Sequence, residues 1–293
     1  MNEQFRGLGV AIITPFLQNG EIDFDNLTRL VENLIADGVD YLVALGTTGE
    51  TPTLSCVEKE AIVQTVVKTA KGRVPIVMGL GGPSTTDILN MLAHFDFTGI
   101  DALLSVTPYY NRPSQEGLFE HYSEIAYHSP LPVILYNVGM RTACNIEAET
   151  TLKLAQECKK IIGIKEASGN MNQIMRLINE RPEGFLVISG DDAIAVPLLA
   201  IGADGLVSVI ANAYPQSIAK MVHLALDNRT KEAAEIHNKM LSLTQACFKE
   251  GNPAGVKAIL AIQGKIDYYL RLPLTRVSRP LQEYYKELMH ELQ

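Results

Sequence analysis

The segment "IIGIKEAS" (161–168) decides how this chain folds. It is apolar or glycine from Ile161 to Ile164 and then places Lys165 and Glu166 at its end. A strand wetted on one face alternates apolar with polar residues. An unbroken apolar run suits a parallel strand covered on both faces. Seven further runs have the same character: 8–16 ("LGVAIITPF"), 40–46 ("DYLVALG"), 74–81 ("VPIVMGLG"), 101–109 ("DALLSVTPY"), 132–138 ("PVILYNV"), 185–192 ("FLVISGDD") and 205–212 ("GLVSVIAN"). Amphipathic stretches of helical length separate them. In 24–38 the apolar residues Leu27, Leu30, Val31, Leu34 and Ile35 fall at helical spacing. In 55–72 Ser55 stands three positions before Glu58, as in a capping box. Eight strands alternating with helices predict an α/β fold, a (β/α)8 TIM barrel. A doubly wound sheet competes, but it would need a ligand motif at a switch point, and none is present. Beyond residue 214 no strand is expected. Helices are expected at 230–250, 253–264 and 281–292, so residues 1–225 read as the catalytic barrel and 226–293 as a C-terminal helical extension.

The bulk composition narrows the function. The chain has 293 residues, 47% hydrophobic and 20% charged, with a formal net charge of −8. That charge disfavours nucleic acid and anionic membranes as partners. Cys56, Cys144, Cys158 and Cys247 are scattered without a CxxC, against a disulfide framework or zinc site. The six histidines fall in expected helices without HExxH spacing, and "GLGGPS" (79–84) fits neither a P-loop nor GxGxxG. No metal or nucleotide is expected. The N-terminus lacks a signal pattern, and no apolar run reaches the roughly 18 residues of a membrane span. These features predict a cytoplasmic protein.

Catalytic residues in such a barrel come from the C-terminal ends of the strands. Alternation puts Ile161, Gly163 and Lys165 on one face. If that face is the interior, Lys165 points into the barrel mouth, with Gly163 leaving space below it. Desolvation there favours the neutral amine, a nucleophile that forms Schiff bases with carbonyls. The ordinary alternative is a strand-end lysine reaching to solvent. Glu166 has the opposite parity and should face the helices. Ile134 and Tyr136 share a face on the neighbouring strand, where a phenol can shuttle the protons that carbinolamine dehydration needs; a core tyrosine bonded to backbone is the alternative. "GTTGE" (46–50) offers N–H groups and the hydroxyls of Thr47 and Thr48 to a small anion, or is simply a capped loop. Arg141 lies in the loop after Tyr136 and can hold a carboxylate, or form a surface ion pair. Asp191 and Asp192 read as an acid/base pair or as a helix cap.

Together with "VAIITPF", "VTPYYNRPSQEG", "NPAGVKA" and "LRLPL", these motifs resemble the pyruvate-dependent class I aldolase family along nearly the whole chain. The resemblance implies that Lys165 forms an imine with pyruvate and that Tyr136 relays protons to it. It implies a relay role for Thr47, a pyruvate-carboxylate contact for Thr48, and a carboxylate contact to the aldehyde substrate for Arg141. Tyr110 matches a second relay tyrosine that reaches the neighbouring subunit's site, which implies a tight dimer, usually paired into a tetramer. Backbone at Gly190 and Val207 matches positions lining the pyruvate pocket. The implied reaction joins pyruvate to L-aspartate 4-semialdehyde, giving 4-hydroxy-tetrahydrodipicolinate for lysine and diaminopimelate synthesis, with no cofactor beyond the imine on Lys165. The rival within the family is a lyase for N-acetylneuraminate or 2-keto-3-deoxy sugar acids, against which Arg141 and "SGDD" (189–192) argue. A non-catalytic paralogue is the rival outside it. Two departures stand out. Gly139 and Met140 occupy a loop where the family usually has proline after "YNV". Lys59 and Pro83 stand where lysine-inhibited members carry a histidine or acid and an asparagine; Asp87 and Tyr109 alone look compatible. Feedback by lysine is expected to be weak or absent.

Overall fold

The computed structural model describes residues 2–292. Its eight strands are β1 (Gly7–Ala11), β2 (Tyr41–Ala44), β3 (Ile76–Gly79), β4 (Ala102–Val106), β5 (Val133–Asn137), β6 (Ile161–Glu166), β7 (Leu186–Ser189) and β8 (Gly205–Ser208). Each pairs parallel with the next, and β8 returns to β1 through Gly7↔Gly205 and Val10↔Ser208, so the barrel closes. Every expected run matches one strand, with β1 beginning one residue before its run. The strands are shorter than the runs because apolar residues continue into the loops at the barrel mouth.

The unbroken apolar runs have a direct cause, since each strand is buried on both sides. Val43, Val77, Leu104, Ile134, Tyr136, Ile188 and Val207 fill the barrel interior. Leu8, Val10, Leu42, Leu103, Leu135, Ile164 and Val187 pack outward against the helices. Local signals set the helix starts. Asp23 caps the helix Phe24–Ala36 by accepting from the Asn26 N–H at 2.9 Å. Ser55 and Glu58 form the expected capping box of the helix Cys56–Ala70, with Glu58 accepting from the Ser55 N–H at 2.8 Å.

One expectation about β6 needs correction. Pairing with β5 shifts register between Val133 and Ile134, so Val133 faces Ile161 while Ile134 faces Gly163. This bulge breaks the strict alternation. Ile162 therefore packs in the interior and Ile161 packs outward, so Ile161 does not share the face of Lys165. Nor does Gly163 leave open space. A Cβ there would lie 2.8 Å from both the Cβ and the carbonyl oxygen of Leu186. The glycine permits close approach of β7, and Leu186 fills the room.

The helix Pro215–Leu226 completes the barrel, and Thr230–Phe248 packs along it. Ala254–Ile262 and Arg279–Glu291 follow, and the segment around residues 252–271 returns to the catalytic end of the barrel. Among the described residues no helix is long and apolar enough to cross a membrane.

Candidate active site

The C-terminal ends of β2 to β5 surround a cavity of about 330 Å³. Thr47, Tyr109, Tyr136 and Arg141 line it together with Lys59. No carboxylate is among its lining residues, so its two charged groups, Lys59 and Arg141, are both cations. In a chain of net charge −8 this is a local reversal of sign, suited to an anionic organic acid.

Lys165 stands beside Tyr136 across the β5–β6 ladder. Only 5% of its surface is exposed. Its Nζ lies 4.2 Å from the centroid of the Tyr136 ring. The stem is held by backbone, because a Cβ at Gly190 would sit 2.9 Å from Lys165 Cε and 3.1 Å from Cγ. Val207 lies in the same interior cluster as Tyr136. Glu166 does face outward. It is buried, its carboxylate accepting from Asn137 Nδ2 at 3.1 Å, Gln173 Nε2 at 3.0 Å and the Ser168 N–H at 2.8 Å.

After β2, "GTTGE" forms a tight turn, Thr47–Gly49, followed by Glu50 in the left-handed region at φ 55°. Thr47 is half-buried against the cavity. Thr48 turns inward instead, where its Oγ1 accepts from Asn252 Nδ2 at 2.9 Å. Arg141 sits in the single helical turn Gly139–Thr142, closed by the Arg141 N–H donating to Val138 O at 2.8 Å. Tyr110 is not part of its own chain's cavity; it is 90% exposed at φ 72°. A bulky residue held in that conformation is strained. The adjacent aspartates part company. Asp191 caps a short turn by accepting from the Ala193 N–H at 2.9 Å. Asp192 is buried, accepting from Ser208 Oγ and from the Val209 N–H at 2.9 Å, and burial pushes its carboxyl up to about 6.

Sequence reading missed the support behind the β2 turn. Glu50 and Lys257 form an ion pair with both side chains wholly buried. Arg271 donates its backbone N–H to Glu50 Oε2 at 3.1 Å, and its guanidinium grips Glu58 and the carbonyls of Gly20 and Thr53. That contact holds the Glu58 carboxyl down at about 2. A signal did exist. Lys257 interrupts an otherwise apolar helix, "AGVKAILAI", and a lone cation in such a helix calls for a buried partner.

The sequence model of the Dihydrodipicolinate synthetase family matches residues 4–293. The chain is 48% identical to the 4-hydroxy-tetrahydrodipicolinate synthase of Porphyromonas gingivalis, over 94% of this chain and 93% of that protein. It is 47% identical to the one from Parabacteroides distasonis, over 98% and 97% of the two chains. The crystal structure of dihydrodipicolinate synthase from Thermotoga maritima superposes with a TM-score of 0.96 at 37% identity, covering 99% of each chain. The aldolase-like motifs, the closed barrel and these likenesses converge on one placement: the chain belongs to the dihydrodipicolinate synthetase family.

Proposed function

We infer that the chain condenses pyruvate with L-aspartate 4-semialdehyde through a Schiff base on Lys165, giving 4-hydroxy-tetrahydrodipicolinate. The observation that carries this reading is a buried Lys165 amine against the Tyr136 ring, beside a cavity whose charged groups are both cations. Neutral Lys165 Nζ attacks the pyruvate ketone, and the alkoxide takes a proton from Tyr136. Loss of water from the carbinolamine leaves an imine, and loss of a methyl proton converts it to the enamine. The enamine carbon attacks the aldehyde of the semialdehyde, whose single carboxylate Arg141 holds. The semialdehyde's own amine then attacks the imine carbon, closes the ring and releases Lys165. Thr48 and the backbone of the β2 turn receive the pyruvate carboxylate, and Thr47 continues the proton relay toward Tyr110 of a neighbouring subunit. Backbone at Gly190 and Val207 lines the pyruvate side of the site. The exposure and left-handed strain of Tyr110 support a role across a subunit boundary, in a dimer paired into a tetramer. The imine is the sole covalent device and no cofactor or metal is needed. The reaction belongs to the cytoplasm and to lysine and diaminopimelate synthesis.

The test sets condensation against cleavage. Purified protein should consume pyruvate and the semialdehyde together, and leave N-acetylneuraminate and 2-keto-3-deoxy sugar acids largely uncleaved. Faster turnover of a sugar acid would assign the chain to the lyase branch instead.

A further inference from the structure

The buried Glu50–Lys257 pair is a poor device for stability alone. Taking a carboxylate and an ammonium out of water costs several kcal/mol per ion, and apolar residues of similar volume often do as well or better. A non-glycine residue in the left-handed region adds strain. Both costs fall on Glu50, three residues after Thr47 and two after Thr48.

The contacts of the pair are directional. One Glu50 oxygen meets Lys257 Nζ and the other accepts the Arg271 N–H at 3.1 Å. Lys257 also donates to Tyr269 O at 3.1 Å and lies 4.2 Å over the Phe16 ring. Two residues before Glu50, Thr48 Oγ1 accepts from the Asn252 amide at 2.9 Å. An amide N–H can only donate, so this bond occupies a lone pair of Thr48 and leaves its hydroxyl proton for an outside acceptor. A substrate carboxylate is such an acceptor. The segment 252–271 thus contacts the turn at two points, Thr48 and Glu50.

We propose that Lys257, acting through Glu50, is a positioning residue for the Thr47–Thr48 turn, so that the C-terminal segment sets how the turn meets the pyruvate carboxylate. This rests on the pyruvate reading of the site. Burial pushes the Lys257 amine down to about 8, against the opposing pull of Glu50.

The test uses the full chain. E50Q/K257M removes both charges with little change in volume, so no orphaned ion is left to unfold the protein. It should keep its far-UV circular dichroism, raise the KM for pyruvate by about tenfold or more, and leave the KM for the semialdehyde within about twofold, because Arg141 lies on another strand's loop. E50D keeps both charges but withdraws the carboxylate by one methylene, and the same split is expected. A folded variant with unchanged pyruvate KM overturns the proposal, as does a parallel loss in both KM values. Failure of both variants to fold assigns the pair to stability and overturns it too. Borohydride trapping of the parent separates the two readings. A parent that forms no reducible adduct with pyruvate refutes the site assignment and this inference with it. An adduct-forming parent with unaffected variants refutes the inference alone.

Discussion

Burial leaves Lys165 packed tightly and makes its placement sensitive to its neighbours. An ammonium has no free lone pair; only the neutral amine can attack a carbonyl. The placement depends on Gly190, whose missing side chain is the space through which Lys165 Cε and Cγ pass. Gly190→Ala would press on Ala167 Cβ at 2.8 Å and on the lysine stem, while altering no charge. It should lower kcat/KM by roughly a hundredfold, the scale expected for displacing a reacting group by about 1 Å. Circular dichroism should show the fold retained. Near-parental activity in a folded G190A would mean that the stem has room to spare. Lys165 and Tyr136 were legible in the sequence because side-chain parity near the strand ends is local information. The bulge at Ile162 was not legible, because it arises from the pairing of β5 with β6 and leaves no mark in the run itself.

The turn after β2 and the helix Cys56–Ala70 act as one element. Glu58 completes the helix cap and also receives Arg271, so the helix start, the β2 turn and the C-terminal segment share a single network. Lys59 projects from the same helix to the cavity lined by Tyr109. A cation there repels the ammonium of free lysine, and Pro83 has no amide side chain to offer it. Initial rates should therefore change little as lysine is added. Half-inhibition at sub-millimolar lysine would contradict this account of the Lys59 position. The capping box was readable from Ser55 and Glu58 alone. The grip of Arg271 was not, since its partners lie more than 200 residues earlier in the chain.

At the scale of the molecule, the barrel was legible because all eight strands are buried on both faces, which imprints eight unbroken apolar runs on the sequence. The C-terminal helices read as an appendage, yet Asn252, Lys257 and Arg271 reach Thr48 and Glu50 after β2. The lone cation Lys257 in an apolar helix calls for a buried partner, but which residue answers it is settled only in three dimensions. The proposed dimer offers a complementation test. Coexpressed K165A and Y110F chains should each be nearly inactive alone. In a mixed dimer, the protomer that keeps Lys165 receives Tyr110 from its partner. Random pairing should then restore about a quarter of the sites, half the dimers carrying one good site each. No restoration in a mixture shown to contain mixed dimers would place Tyr110 in its own chain's relay.

The central claim is a covalent one, and trapping tests it most directly. The protein is incubated with pyruvate, reduced with borohydride and digested, and the peptides are weighed by mass spectrometry. The account predicts one reduced pyruvate adduct, on the peptide carrying Lys165. An absent adduct, or one on a different lysine, would contradict it.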